Sequence, residues 1–108
     1  MFRSLCLALA LSTPIAAQAA PAVPRLDVSQ TCRAASKLAL ADNQSFGQCM
    51  KDELGAKELL VKSWPTYPPA ARARCTAEVG IGGSPSYVEV SVCLEMDRSA
   101  ADLSRPGN

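Results

Sequence analysis

Residues 84–96 read SPSYVEVSVCLEM, and the fold class turns on whether they form a strand or a helix. Tyr87-Val88-Glu89-Val90-Ser91-Val92 alternates apolar and polar in part, which is the period of a half-buried strand. The entry to the stretch points the other way. Ser84 is a strong helix N-cap, and Pro85 then occupies the first helical position, where a missing amide is harmless. Tyr87, Val90, Leu94 and Asp97 recur at i, i+3, i+7 and i+10, so one helical face collects them. Cys93-Leu94-Glu95-Met96 continues well as helix and poorly as strand, and no second run in the chain reads as a strand to pair with. The expectation is a helix and an all-α fold.

Just upstream lies GIGGS (80–84), a glycine-rich stretch that invites comparison with an anion-binding loop. The phosphate-loop pattern fails for want of its lysine, and no strand precedes it. The glycines are read as the end of one helix and Ser84-Pro85 as the start of the next. Their exposed amides still make Gly82, Gly83, Ser84 and Tyr87 the candidate partner surface.

Three further helices are expected. Asp27 or Ser29 caps a first, in which Val28, Cys32, Ala35 and Ala39 recur at helical spacing, with Arg33 and Lys37 opposite. ADNQS (41–45) supplies the cap-prone residues that separate it from a second helix over Ser45–Trp64. There Phe46, Cys49, Met50, Leu54, Leu60, Val61 and Trp64 lie on one broad face, while Lys51, Asp52, Glu53, Lys57, Glu58 and Lys62 form the wet side. Glu53 with Lys57, and Glu58 with Lys62, have the acid-before-base spacing that supports a helix. Gly55 sits mid-helix at a cost of about 1 kcal/mol relative to alanine, which suggests close packing against a neighbour. WPTYPP (64–69) stops this helix, because proline lacks an amide donor and restricts the residue before it. Pro69 opens the third helix, which Gly80 ends. Trp64 and Tyr67 are read as closing a small core rather than lining a groove for a proline-rich ligand.

The chain begins with a short basic start (Met1, Phe2, Arg3), an apolar core (LCLALAL, 5–11) and a small-x-small triplet at Ala17-Gln18-Ala19. That is the layout of a secretory signal peptide over 1–19 with cleavage before Ala20. The apolar run is far shorter than the roughly 20 residues that span a bilayer. Residues 20–26 follow as an extended, mobile lead-in, 27–101 as one helical domain and 102–108 as a frayed tail. Without Arg3 the chain carries ten basic and ten acidic residues, so it has neither the footprint of a nucleic-acid binder nor a polybasic membrane surface.

With the signal removed, Cys6 is lost and Cys32, Cys49, Cys75 and Cys93 remain. An even set in an exported chain reads as two disulfides. A four-cysteine zinc site normally brings close pairs such as C-x-x-C, and there are none here. Three pairings are open. Cys32–Cys49 with Cys75–Cys93 is preferred because it joins only neighbouring helices in two hairpins, whereas Cys32–Cys93 with Cys49–Cys75 would tie one hairpin to the other. A core with so few aromatic residues gains from such staples.

Chemistry is sparse. The chain has no histidine, which removes Ser-His-Asp and Cys-His nucleophiles, the H-E-x-x-H zinc motif and imidazole acid–base catalysis together. Carboxylate pairs remain at Asp52/Glu53 and Glu95/Asp97, but residues one or two apart do not share a helical face. The expectation is a protein that is not an enzyme, with no cofactor and no metal.

VPRLDVSQTCRAA (23–35), ELLVKSWPTYPPAARARC (58–75) and GGSPSYVEVSVCLEM (82–96) together resemble a group of small exported alphaproteobacterial proteins with four cysteines, a family that implies no activity. More loosely, the chain is similar to the lysozyme-inhibitor LprI-type domain. The shared features are helical cysteines, Trp64 with Arg72 or Arg74 ahead of Cys75, and Gly82-Gly83-Ser84 ahead of Cys93. LLVKSW (59–64) stands where that family usually has an Asn-rich L-N-x-x-Y, and no inhibitory residue carries over. The functional expectation is a secreted or periplasmic, non-catalytic binding or envelope-stress module with a protein or envelope component as partner. The alternatives are a lysozyme-inhibitor-like protein and a small carboxylate-dependent hydrolase.

Overall fold

A computed structural model describes residues 22–38 and 45–107 of the chain. The signal-peptide layout, Cys6, Ala39 and most of ADNQS lie outside the described residues. Among the described residues four helices follow in order: α1 (Val28–Lys37), α2 (Phe46–Ser63), α3 (Pro69–Val79) and α4 (Tyr87–Leu103), with a 3-10 turn over Trp64–Thr66 between α2 and α3. No strand occurs among the described residues. Residues 87–96 of the stretch that decides the fold are helical, and the described fold is all-α.

Each boundary has a local cause. Ser45 caps α2, its hydroxyl accepting from the Gln48 amide at 3.1 Å. Pro69 sits in the first turn of α3, as its fixed φ favours. Gly80 ends α3 with an ordinary negative φ, and the reversal falls later, on Gly82 (φ 96°) and Gly83 (φ 75°). These two occupy left-handed backbone that suits glycine. The start of α4 corrects the expectation. The cap is Ser86, not Ser84, and its hydroxyl accepts from the Glu89 amide at 3.2 Å. Pro85 therefore precedes the cap, and its carbonyl accepts a 2.7 Å bond from the Thr31 hydroxyl of α1.

The helices form two hairpins. α1 packs on α2, α3 packs on α4, and α2 packs on α4 to join them. Disulfides Cys32–Cys49 and Cys75–Cys93 close one hairpin each, with Cα separations of 5.5 and 5.7 Å. Each is worth about 2–4 kcal/mol by restricting the unfolded chain. The core gathers Leu60 and Trp64 from the end of α2, Ala71, Cys75 and Val79 from α3, and Tyr87, Val90 and Leu94 from α4. Trp64 and Tyr67 are buried, closing one end as their scarcity suggests.

Four further expectations are corrected. Val23 and Leu26 pack against the core, and the Leu26 amide donates to the Tyr87 hydroxyl at 2.9 Å, so residues 22–27 are extended but docked. Helix α4 continues to Leu103, beyond the expected boundary at 101. Ala35 is exposed, so the buried stripe of α1 is only Val28 and Cys32. Gly55 faces open space where a Cβ would stand, so no close neighbour accounts for it.

Candidate functional site

The candidate partner surface divides. Gly82, Gly83 and Ser84 are exposed, beside an Ile81 that is 81% exposed. Tyr87 is not available: it is 2% exposed, one of the largest buried side chains. The reason is its place on the inner face of α4 with Val90 and Leu94. Its hydroxyl is engaged as well, donating to the Pro24 carbonyl at 3.1 Å while accepting from Leu26.

The carboxylates also sort themselves. Glu53, expected on the wet side of α2, is buried. The buried line of α2 is Cys49, Glu53 and Leu60, with Ala56 partly buried between them, an i, i+4, i+7, i+11 stripe with an acid in it. Leu54 and Val61, expected on the core face, are exposed instead. Glu53 aims at the N-terminus of α4: Oε1 accepts from the Ser86 hydroxyl at 2.6 Å and Oε2 from the Tyr87 amide at 2.7 Å. An α-helix leaves its first amides unpaired and its N-terminus electropositive, so a buried carboxylate is well placed there. This contact fixes the start of α4 at Tyr87 and explains why the cap is Ser86.

Glu95 and Asp97 face different neighbours. Glu95 accepts from the Tyr67 hydroxyl and lies 3.5 Å from Arg98, while Asp97 pairs with Arg74 of α3. Burial, reinforced by the Glu95 hydrogen bond, raises the Tyr67 hydroxyl above its ordinary pKa. Asp52 accepts from the Gln48 side chain at 2.8 Å. Among the described residues no cluster of three or more His, Cys, Asp or Glu could hold a metal ion, and no helix is long and apolar enough to cross a membrane.

What remains is a surface. Opposite its buried face, α4 carries Val88, Val92, Met96 and Leu103, each exposed. The steps of four, four and seven residues keep them on one side of the helix. Met96 is 67% and Leu103 83% exposed, so this is bare apolar surface rather than the margin of the core. The row spans about 22 Å at 1.5 Å per residue. On its α3 side, α3 and α4 share an open depression of about 530 Å³ lined by Val79, Val92, Cys93 and Met96. Arg74, Glu78, Glu89 and Asp97 stand around it.

Comparison with family models, with curated proteins and with solved structures finds no match. The site therefore rests on its own geometry.

The outer row was missed in the sequence, yet its signal was there. The partial alternation of residues 87–92 that imitates a strand is the trace of a helix apolar on two opposite faces: Tyr87 and Val90 turn inward, Val88 and Val92 outward. A helix of that kind is normally covered on both sides.

Proposed function

We propose that this chain is an exported, non-catalytic binding module of the cell envelope, secreted or periplasmic, that engages a protein partner through the outer face of α4. The observation that carries the reading is the exposed row Val88, Val92, Met96 and Leu103, opposite the face that builds the core. Contiguous bare apolar surface on a small domain marks an interaction site. The two disulfides fit an oxidising compartment. The resemblance to the lysozyme-inhibitor type points to one partner class within this reading, and a lysozyme clearing assay examines it directly. The hydrolase alternative would need Glu53 or Glu95 free to act, and both carboxylates are engaged in hydrogen bonds that build the fold.

The test is a photocrosslinking residue at Val92, compared with one at exposed Lys51, used on whole cells. A discrete adduct from position 92 alone, abolished by Met96→Asp with unchanged melting temperature, is the expected result. Equal labelling from both positions, or a cleaved substrate whose turnover is lost in Glu95→Gln, would overturn it.

A further inference from the structure

The α3/α4 cleft carries a charge pattern that the apolar row alone does not. Its lining is apolar at Val79, Val92 and Met96, and it also holds three carboxylates against one guanidinium. That guanidinium is already committed. Arg74 pairs with Asp97 through Nη2, and its Nε lies 3.9 Å from Glu78 Oε1. Glu78 is more than half exposed at its side chain and reaches across to α4, with Oε2 3.5 Å from Cys93 Sγ. That sulfur is oxidised in the disulfide and has no hydrogen to donate, so the contact leaves the carboxylate without a donor there. Glu89, in the first turn of α4, is the other exposed acid at the rim. The result is a shallow apolar surface that shares Val92 and Met96 with the α4 ridge and carries surplus negative charge along its α3 side.

We infer that the α3/α4 cleft and the adjoining ridge of α4 receive a basic amphipathic helix: apolar side chains over Val79, Val92 and Met96, with lysines or arginines at Glu78 and Glu89. The inference rests on the reading that the outer face of α4 is the binding surface, and adds the chemistry of what binds there. Three features of the site fit this occupant. The ridge is long enough for about four helical turns. A helix laid in an apolar groove contributes anchors at i, i+3, i+4 and i+7, one per turn or closer, and Val88, Val92 and Met96 of α4 stand one turn apart to meet them. The surplus acids supply complementary charge, which sets the choice of partner and the rate of encounter more than the affinity. A second copy of this chain fits less well, because its own α4 ridge would bring the same Glu89 and Glu78 with it.

The probe is a synthetic leucine–lysine helix of about four turns, with a leucine–glutamate helix of the same pattern as control. Titration into the disulfide-bonded chain is followed by tryptophan-independent anisotropy of a dye on the peptide. The lysine helix is expected to bind and the glutamate helix to bind at least about tenfold more weakly. Binding of the lysine helix should weaken as salt rises, since exposed charges are screened. Met96→Asp should weaken it by about tenfold or more, as loss of a central anchor does. Glu78→Lys with Glu89→Lys should reverse the preference between the two peptides. The three side chains changed, Met96, Glu78 and Glu89, are exposed, so circular dichroism melting should shift little. Equal binding of both peptides, or binding indifferent to Met96→Asp, would overturn the inference. A dimer in sedimentation that Met96→Asp dissociates would overturn it too, by giving the face to a second copy. If the crosslink at position 92 forms in cells while the lysine helix fails to bind, the face stands and its assigned ligand chemistry falls.

Discussion

The two faces of α4 are built from the same residue types and have opposite fates. Tyr87, Val90 and Leu94 are nearly or wholly buried, whereas Val88, Val92 and Met96 stand exposed one helical step away. Composition does not separate them; neighbours do. The inner face meets α2, α3 and the docked lead-in, and the described residues supply nothing to cover the outer one. An apolar side chain therefore contributes to stability on one side of this helix and is free for recognition on the other.

Leu94→Ala attacks the comparison hardest. Leu94 is 0% exposed, and truncating such a residue should cost about 2–5 kcal/mol in chemical denaturation through lost transfer energy and the cavity left behind. A loss below that of an ordinary surface change would show that the inner face is not the core. Next in size is Glu53→Gln. The amide retains one acceptor but gives up the charge that receives the Tyr87 amide and the Ser86 hydroxyl, at an expected cost of about 1.5–3 kcal/mol. Unchanged stability there would return Glu53 to the solvated side of α2. Smaller still, Ser86→Ala should cost about 1 kcal/mol or somewhat more, because the hydroxyl both caps α4 and donates to Glu53. Ser84→Ala, two residues earlier, should change the melting curve little; the reverse order would put the cap back at Ser84. On the outer face, Val92→Asp should move stability by no more than about 0.5 kcal/mol while removing the crosslinked adduct. A large loss of stability from Val92→Asp would mean that the outer face is covered within this chain after all.

Much of the fold was legible because its signals are local. Ser45, Pro69 and Gly80 mark helix ends by what their own side chains and backbones permit, and WPTYPP interrupts the chain whatever surrounds it. Hairpin adjacency, which short connections favour, made one of three open cysteine pairings the preferred one, and the fold adopts it. The candidate site was less legible. Glu53 lies four residues after Cys49 and seven before Leu60, on the buried stripe. Its spacing to Lys57 nevertheless reads as a solvated ion pair. Lys57 instead lies over the Tyr87 ring at 5.5 Å, and Glu53 turns to α4. Nothing local announces this, because the partner amides are more than thirty residues away in sequence. The expected cap at Ser84 failed for the same reason: either serine can cap, and the buried carboxylate selects Ser86.

By itself the sequence determined that the chain is helical and where most helices begin and end, and it favoured, without deciding, the pairing of Cys32 with Cys49 and Cys75 with Cys93. These follow from residue-level preferences for backbone geometry and from chain connectivity. Only the tertiary structure decided which apolar stripe of α4 faces inward, that an acid from α2 completes the first turn of α4, and that Tyr87 belongs to the core. Those outcomes depend on which groups from distant segments meet. The helical repeat of residues 87–92 permits two apolar faces, and packing of α2 and α3 against one of them leaves the other bare.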